Sequence, residues 1–168
     1  MNSTNGETHV RAAGPDDLEG IMALARLLNV ENSVFPLDEE KAQQLIIPSL
    51  FKDGGIIGVI GSKDKIEAVV MLRVASNWYS NGSFLEEMCI YVHPEYRSAK
   101  GGRARKLIEF AKKCSDELEM PLMIGVMSNS KTDAKVRLYE RQFGSPSGSF
   151  FLYGVKTGEL AKSNTIVN

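Results

Sequence analysis

Apolar residues recur along this chain in two alternating periods, and Gly, Pro, Asn and Asp mark the places where one period gives way to the other. Residues 9–13 are short and extended enough for an opening strand, which Gly14 and Pro15 end. Asp16, with Glu19 one helical turn on, is an N-cap pattern, and Leu18, Ile21, Met22, Ala25 and Leu28 form an apolar stripe at helical spacing. A polar, Pro-containing connection over residues 29–37 carries one prominent aromatic, Phe35. Asp38 then caps a second helix bearing Ala42, Leu45 and Ile46, which Pro48 should kink or stop. Residues 55–61 and 66–74 are β-branched runs separated by the polar turn Ser62-Lys63-Asp64-Lys65, which predicts a hairpin. Asn81-Gly82 marks a second tight turn, bringing residues 83–92 back antiparallel to the strand before them.

The centre of the pattern is the next stretch. Met88-Cys89-Ile90-Tyr91-Val92 is an apolar run suited to a buried strand, and it ends at His93-Pro94. A basic turn with two adjacent glycines follows, Arg97-Ser98-Ala99-Lys100-Gly101-Gly102-Arg103. Leu107, Phe110, Ala111, Cys114 and Leu118 then recur at helical spacing. Strand, loop and helix in this order leave the first backbone N–H groups of the helix aimed at one spot, where the helix dipole also favours an anion. Residues 122–127 read as a further short buried strand, 128–133 as a polar loop, 134–143 as a helix, and 145–149 as a turn. Residues 150–155 read as a final strand. Residues 1–8 and 157–168 read as flexible tails around one domain spanning 9–156.

Composition narrows the function classes. The chain has 168 residues, 43% hydrophobic and 24% charged, which suits one well-buried domain. A formal charge of -1 argues against the broad positive field of a nonspecific nucleic-acid binder. The cations Arg97, Lys100, Arg103, Arg105, Lys106, Lys112 and Lys113 are nevertheless clustered, with Glu109 the only acid among them, which suits a local anion better than a polyanion. No apolar run is long enough to span a membrane, and residues 1–8 lack the apolar core of a signal peptide, so a cytoplasmic protein is expected. Cys89 and Cys114 have no metal-ligand spacing and read as reduced core thiols, and no ligand cluster for a metal is present.

The loop lacks the glycine and lysine pattern of a P-loop and the Gly-x-Gly-x-x-Gly of a dinucleotide fold. Val92-His93-Pro94-Glu95-Tyr96-Arg97 instead resembles the central motif of the GCN5-related N-acetyltransferase (GNAT) superfamily, in which a strand, Val-x-Pro-x-x-Arg, a Gly-rich loop and a helix hold the pyrophosphate of acyl-coenzyme A. The family's small-residue slots fall on Lys100 and Gly102 counting forward from Arg97. Counting back from Leu107 they fall on Gly102 and Ala104, with Ala99 where Arg or Gln is expected; this register implies a longer loop than the common form. Leu138-Tyr139-Glu140-Arg141-Gln142-Phe143-Gly144 resembles the family's Leu-Tyr-Glu-Lys-x-Gly-Phe segment, with Gly and Phe transposed and the family's upstream Asn falling on Thr132.

The resemblance, which covers about residues 10–155, implies an α/β (α+β) GNAT-like domain in the order β-α-α-β-β-β-α-β-α-β. Its central sheet would be mixed, mostly antiparallel and of about six to seven strands, with helices on both faces. It implies an acyl-CoA-dependent N-acyltransferase, most simply an acetyltransferase using acetyl-CoA as co-substrate and no metal, with a small-molecule or peptide amine as acceptor. Ile90, Tyr91 and Val92 would bind the pantetheine arm along a gap between the strands at 83–92 and 122–127. Arg97, Ala99, Lys100, Gly101, Gly102, Arg103 and Ala104 would surround the pyrophosphate. Tyr139 stands where the family places the phenol that protonates the leaving thiolate. Glu86 and Glu87 are the candidates for the amine's proton; they face opposite sides of a regular strand, and a bulge would reverse which one lines the cleft. His93 reads as a turn residue. Trp78 and Tyr79 are either edge packing or a wall of the acceptor pocket. A coenzyme A-binding module without catalysis is the rival reading, and a homodimer stays open.

Overall fold

The computed structural model describes residues 8–32, 35–97, 101–128 and 131–154. Its elements are β1 (Val10–Ala12), α1 (Leu18–Asn32), α2 (Glu39–Leu50), β2 (Gly55–Ser62), β3 (Lys65–Ser76), β4 (Ser83–Val92), α3 (Arg103–Leu118), β5 (Leu122–Met123) and α4 (Thr132–Phe143). The strands form a single five-stranded sheet in the order β1-β2-β3-β4-β5. The first three pairings are antiparallel, and β4 with β5 is parallel.

Each face of the sheet buries the stripe that the sequence pattern marks. Ile21, Met22 and Leu24 of α1 and Ile46 and Leu50 of α2 pack with Ile57, Val59, Val69, Cys89 and Tyr91. On the other face Leu107, Ala111 and Cys114 of α3 pack with Ile60, Ala68, Val70, Leu72 and Leu85. Ten of these larger side chains, and Ile108 of α3 besides, are essentially sealed from water, and burial on that scale is what holds a helix onto a sheet, at roughly 1.5–3 kcal/mol for each. Gly58 allows the closest approach: a Cβ there would lie 2.6 Å from the ring of Phe110.

Local signals explain most boundaries. Asp38 accepts a hydrogen bond from the Lys41 backbone N–H and caps α2. Pro48 lies in the last turn of α2, which runs two residues past it. At the start of α1 the capping acid is Asp17 rather than Asp16. A 3-10 turn over Pro15–Asp17 leads into the helix, and buried Asp17 accepts from the Gly14 N–H and from both terminal nitrogens of Arg11 at 2.7 and 2.8 Å. The β2–β3 hairpin forms at the expected turn. The β3–β4 connection is wider than a tight Asn-Gly turn, because Ser76 pairs with Ser83 and residues 77–82 lie between.

Two expectations about strands fail. The expected strand over 122–127 pairs only at Leu122 and Met123. The expected final strand over 150–155 is absent: residues 150–154 are irregular, with Phe150, Phe151 and Tyr153 exposed, and Val155 lies outside the described residues. The sheet therefore has five strands, not six to seven. A two-residue β5 offers too short an edge to template a sixth strand, and 150–153 lacks the apolar–polar alternation that would recommend one face.

Candidate active site

β4 carries a bulge. Met71 pairs with Cys89 and Leu72 with Glu87, so Met88 is the extra residue. Leu85 packs against α3, yet Cys89, an even number of residues on, packs against α1 and α2, which only an inserted residue allows. Beyond Glu86 no described strand pairs with the β5 side of β4, and residues 124–128 diverge from it. Along Ile90, Tyr91 and Val92 the β5 side of β4 thus has no strand partner among the described residues, and at its end the Val92 carbonyl accepts from Arg97.

At the end of that gap a 3-10 turn over Pro94–Tyr96 starts with His93, whose Nδ1 accepts from the Glu95 N–H at 3.3 Å, so His93 is a turn residue as expected. Gly102, at φ 56° and ψ 46°, is the left-handed residue that begins α3, and a Cβ built on it would meet no protein atom within 4 Å. The open space over Gly102, at the N-terminus of α3 whose first turn includes Arg103 and half-buried Ala104, suits an anion. Ala99 and Lys100 lie outside the described residues.

The two arginines expected near the anion have partners within the chain. Arg97 is held by both oxygens of Glu31, at 2.7 and 2.6 Å, donates to the Val92 carbonyl at 3.0 Å, and lies over the Tyr91 ring. Arg103 is paired with Glu67 at 2.8 Å and lies over the Tyr96 ring. Each guanidinium group is thus engaged by a carboxylate and a ring of the chain.

A cleft of about 840 Å³ opens between α1, α2, β4, residues 123–127, α4 and residues 150–152, and Glu86, Glu87 and Tyr139 line it. Glu86 pairs with Arg73 at 2.6 Å. Among the described residues Glu87 has one long hydrogen bond, from the Gly125 N–H at 3.5 Å. Desolvation pushes its carboxyl up to about 7, the Gly125 contact opposing and the charge of Glu86 adding to the shift. Burial, and then the proximity of Glu87 and Cys89, raise the Tyr139 phenol, whose ring packs edge-on against Phe143. Cys89 and Cys114 are buried thiols, as expected.

A cluster that the sequence reading missed adjoins the site. Lys135 donates to the Ser128 hydroxyl at 2.7 Å and to Asn32 Oδ1 at 3.2 Å, and the Ser128 hydroxyl donates to Asn32 as well. Burial lowers the Lys135 pKa, nearby Glu31 opposing. The one signal in the sequence is spacing: Lys135 stands one turn before Tyr139 on the same helical face, and both line the cleft. Trp78 and Tyr79 answer neither expectation. They form an edge-to-face pair on the β3–β4 loop, Trp78 is 96% exposed, and neither lines the cleft.

No protein-family model matches the sequence. No curated protein matches it either. Solved structures do. A protein described as a possible acetyltransferase from Clostridium difficile 630 is 24% identical, with a TM-score of 0.63 over 88% of this chain and 97% of that one. AAC(6')-Iy in complex with the bisubstrate analogue CoA-S-monomethyl-acetylneamine is 15% identical, with a TM-score of 0.65 over 87% and 96%. The ribosomal-protein-alanine N-acetyltransferase of Brucella melitensis biovar Abortus 2308 is 15% identical, with a TM-score of 0.64 over 87% and 97%. The chain has the fold of these acetyltransferases.

Proposed function

We propose that the chain is an acetyl-CoA-dependent N-acetyltransferase acting on a primary amine by direct attack. One observation carries this reading: the open edge of β4 beyond its bulge runs from the glycine-capped start of α3 into a cleft lined by Glu87 and Tyr139. Backbone N–H groups from Gly101 to Ala104 would hold the pyrophosphate, and the exposed edge at Ile90–Val92 would hold the pantetheine arm as a strand would. Bound coenzyme A supplies an activated acetyl thioester.

The residues of the chain divide the remaining tasks. Glu87 is better suited than Glu86 to take the amine's proton, directly or through water, because its carboxyl is raised to about 7 while Glu86 is already held in an ion pair with Arg73. As the amine nitrogen bonds to the acetyl carbon and the carbon–sulfur bond breaks, Tyr139 gives its proton to the departing sulfur. A phenol kept neutral by burial is a competent donor for that step. Structures of the shared fold contain coenzyme A or an analogue of it, as the AAC(6')-Iy complexes do, which supports the assignment of the co-substrate.

Calorimetry with acetyl-CoA, followed by thiol release across a panel of amines, tests the proposal. Failure to bind acetyl-CoA refutes it, and binding without transfer to any amine favours a coenzyme A-binding module instead.

A further inference from the structure

The acceptor region of the cleft is apolar where a polycation would need acid. Leu28 and Leu45 from the helices, Met71 from β3 and Met127 beyond β5 form its walls. Its charged lining residues, among those described, balance: Lys41, Arg73 and Lys135 stand against Asp38, Glu86 and Glu87. Two of the acids have other work, since Glu86 is held by Arg73 and Asp38 caps α2. The third, Glu87, sits where desolvation favours its neutral form. No acidic surplus remains for a second or third ammonium.

The mouth adds an independent observation. Phe35, Phe150 and Phe151 line the same cleft and are 61%, 79% and 91% exposed. Three phenylalanines at one opening, from segments far apart in the chain, are the kind of apolar surface that a monomer rarely leaves uncovered without a binding partner for it. They share the cleft with the Leu and Met walls and with Glu87, so an acceptor whose amine reaches Glu87 would place its body against them.

Resting on the acetyltransferase reading above, we infer that the acceptor is a primary monoamine with an extended apolar or aromatic body, not a polyamine or an aminoglycoside. The amine head goes to the polar end of the cleft and the body takes the place of water against the phenylalanines. Each methylene moved from water onto that surface should multiply kcat/KM by about three- to fourfold, from about 0.8 kcal/mol per buried methylene.

The test is thiol release from acetyl-CoA by the full chain with n-alkylamines from ethylamine to hexylamine, with 2-phenylethylamine, spermidine and sisomicin, and with a short peptide amine. The expected result is a rising kcat/KM along the alkyl series, with 2-phenylethylamine well above spermidine. Arg73→Ala, which frees the Glu86 charge on a half-exposed rim, should raise spermidine relative to 2-phenylethylamine by roughly fivefold. A flat alkyl series, or best turnover with spermidine, sisomicin or the peptide, overturns this inference and leaves the acetyltransferase reading standing. Acetyl-CoA binding without transfer to any amine overturns both.

Discussion

Glu87→Gln tests the proposed base with two readouts that move in opposite directions. The substitution keeps the shape of the side chain and the oxygen that faces the Gly125 N–H, and removes only the capacity to accept a proton. With the carboxyl raised to about 7, roughly a tenth of the protein carries the ionised base at pH 6 and roughly nine tenths at pH 8. Wild-type kcat/KM should therefore rise close to tenfold between those values, in a limb centred near 7. The variant should lose that limb and fall by about 10²–10⁴ at pH 8.

Stability should go the other way. The folded pKa of Glu87 lies above its ordinary carboxylate value, so the folded chain binds the proton more tightly between about pH 4.5 and 7, and the carboxyl costs stability as pH rises through that window. Glutamine carries no such penalty, so the variant should melt at a similar temperature to wild type at pH 5 and at a higher one at pH 8. Paired pH–rate profiles and calorimetric melts read both effects. A variant that keeps the limb near 7 at wild-type rate refutes Glu87 as base, and one that melts lower at pH 8 refutes the desolvated environment assigned to it.

Three further outcomes are expected. Gly102→Val should weaken acetyl-CoA binding in calorimetry by tenfold or more, because the side chain fills the space over the cradle, while the positive φ costs the fold only about 1–2 kcal/mol. Tyr139→Phe should leave acetyl-CoA binding intact and lower single-turnover transfer by about 10²–10⁴, and an unchanged rate would make the tyrosine a packing residue. Asp17→Ala should destabilise the chain by about 2–4 kcal/mol in chemical denaturation, because it strips a buried partner from Arg11 and from the Gly14 N–H. Arg11 holds the Asp17 carboxyl below its ordinary range, so that contribution is present at neutral pH and disappears as pH falls through the depressed pKa.

What could be read from the sequence was local. The stripe of α3, the cap at Asp38, the hairpin at 62–65 and the motif from Val92 to Arg97 each depend on residues within a turn or two of one another, and each is where the pattern placed it. What escaped depends on partners far along the chain. The bulge at Met88 exists only as a mismatch with β3, and no feature of residues 83–92 alone declares it. Arg97 pairs with Glu31, 66 residues earlier, which comes within reach when α1 docks. The strand expected over 150–155 looked sound as a run of apolar residues, but a strand needs an edge, and the brevity of β5 could not be seen from either segment.

The Met88 bulge also constrains how this chain can change length. Upstream of it the inward set includes Leu85, and downstream it includes Cys89 and Tyr91 on the opposite face, so the extra residue is what reconciles the two halves of β4. Deleting Met88 would leave Leu85 and Cys89 three apart and still on opposite faces of a now regular strand, so only the bulge is lost, whereas losing a second residue there would turn one half inside out against its helices. The two halves of β4 can therefore lose the bulge and keep their faces but cannot lose a further residue, and insertions have their natural refuge six residues wide at 77–82, where the chain crosses between β3 and β4 without a partner to keep step with.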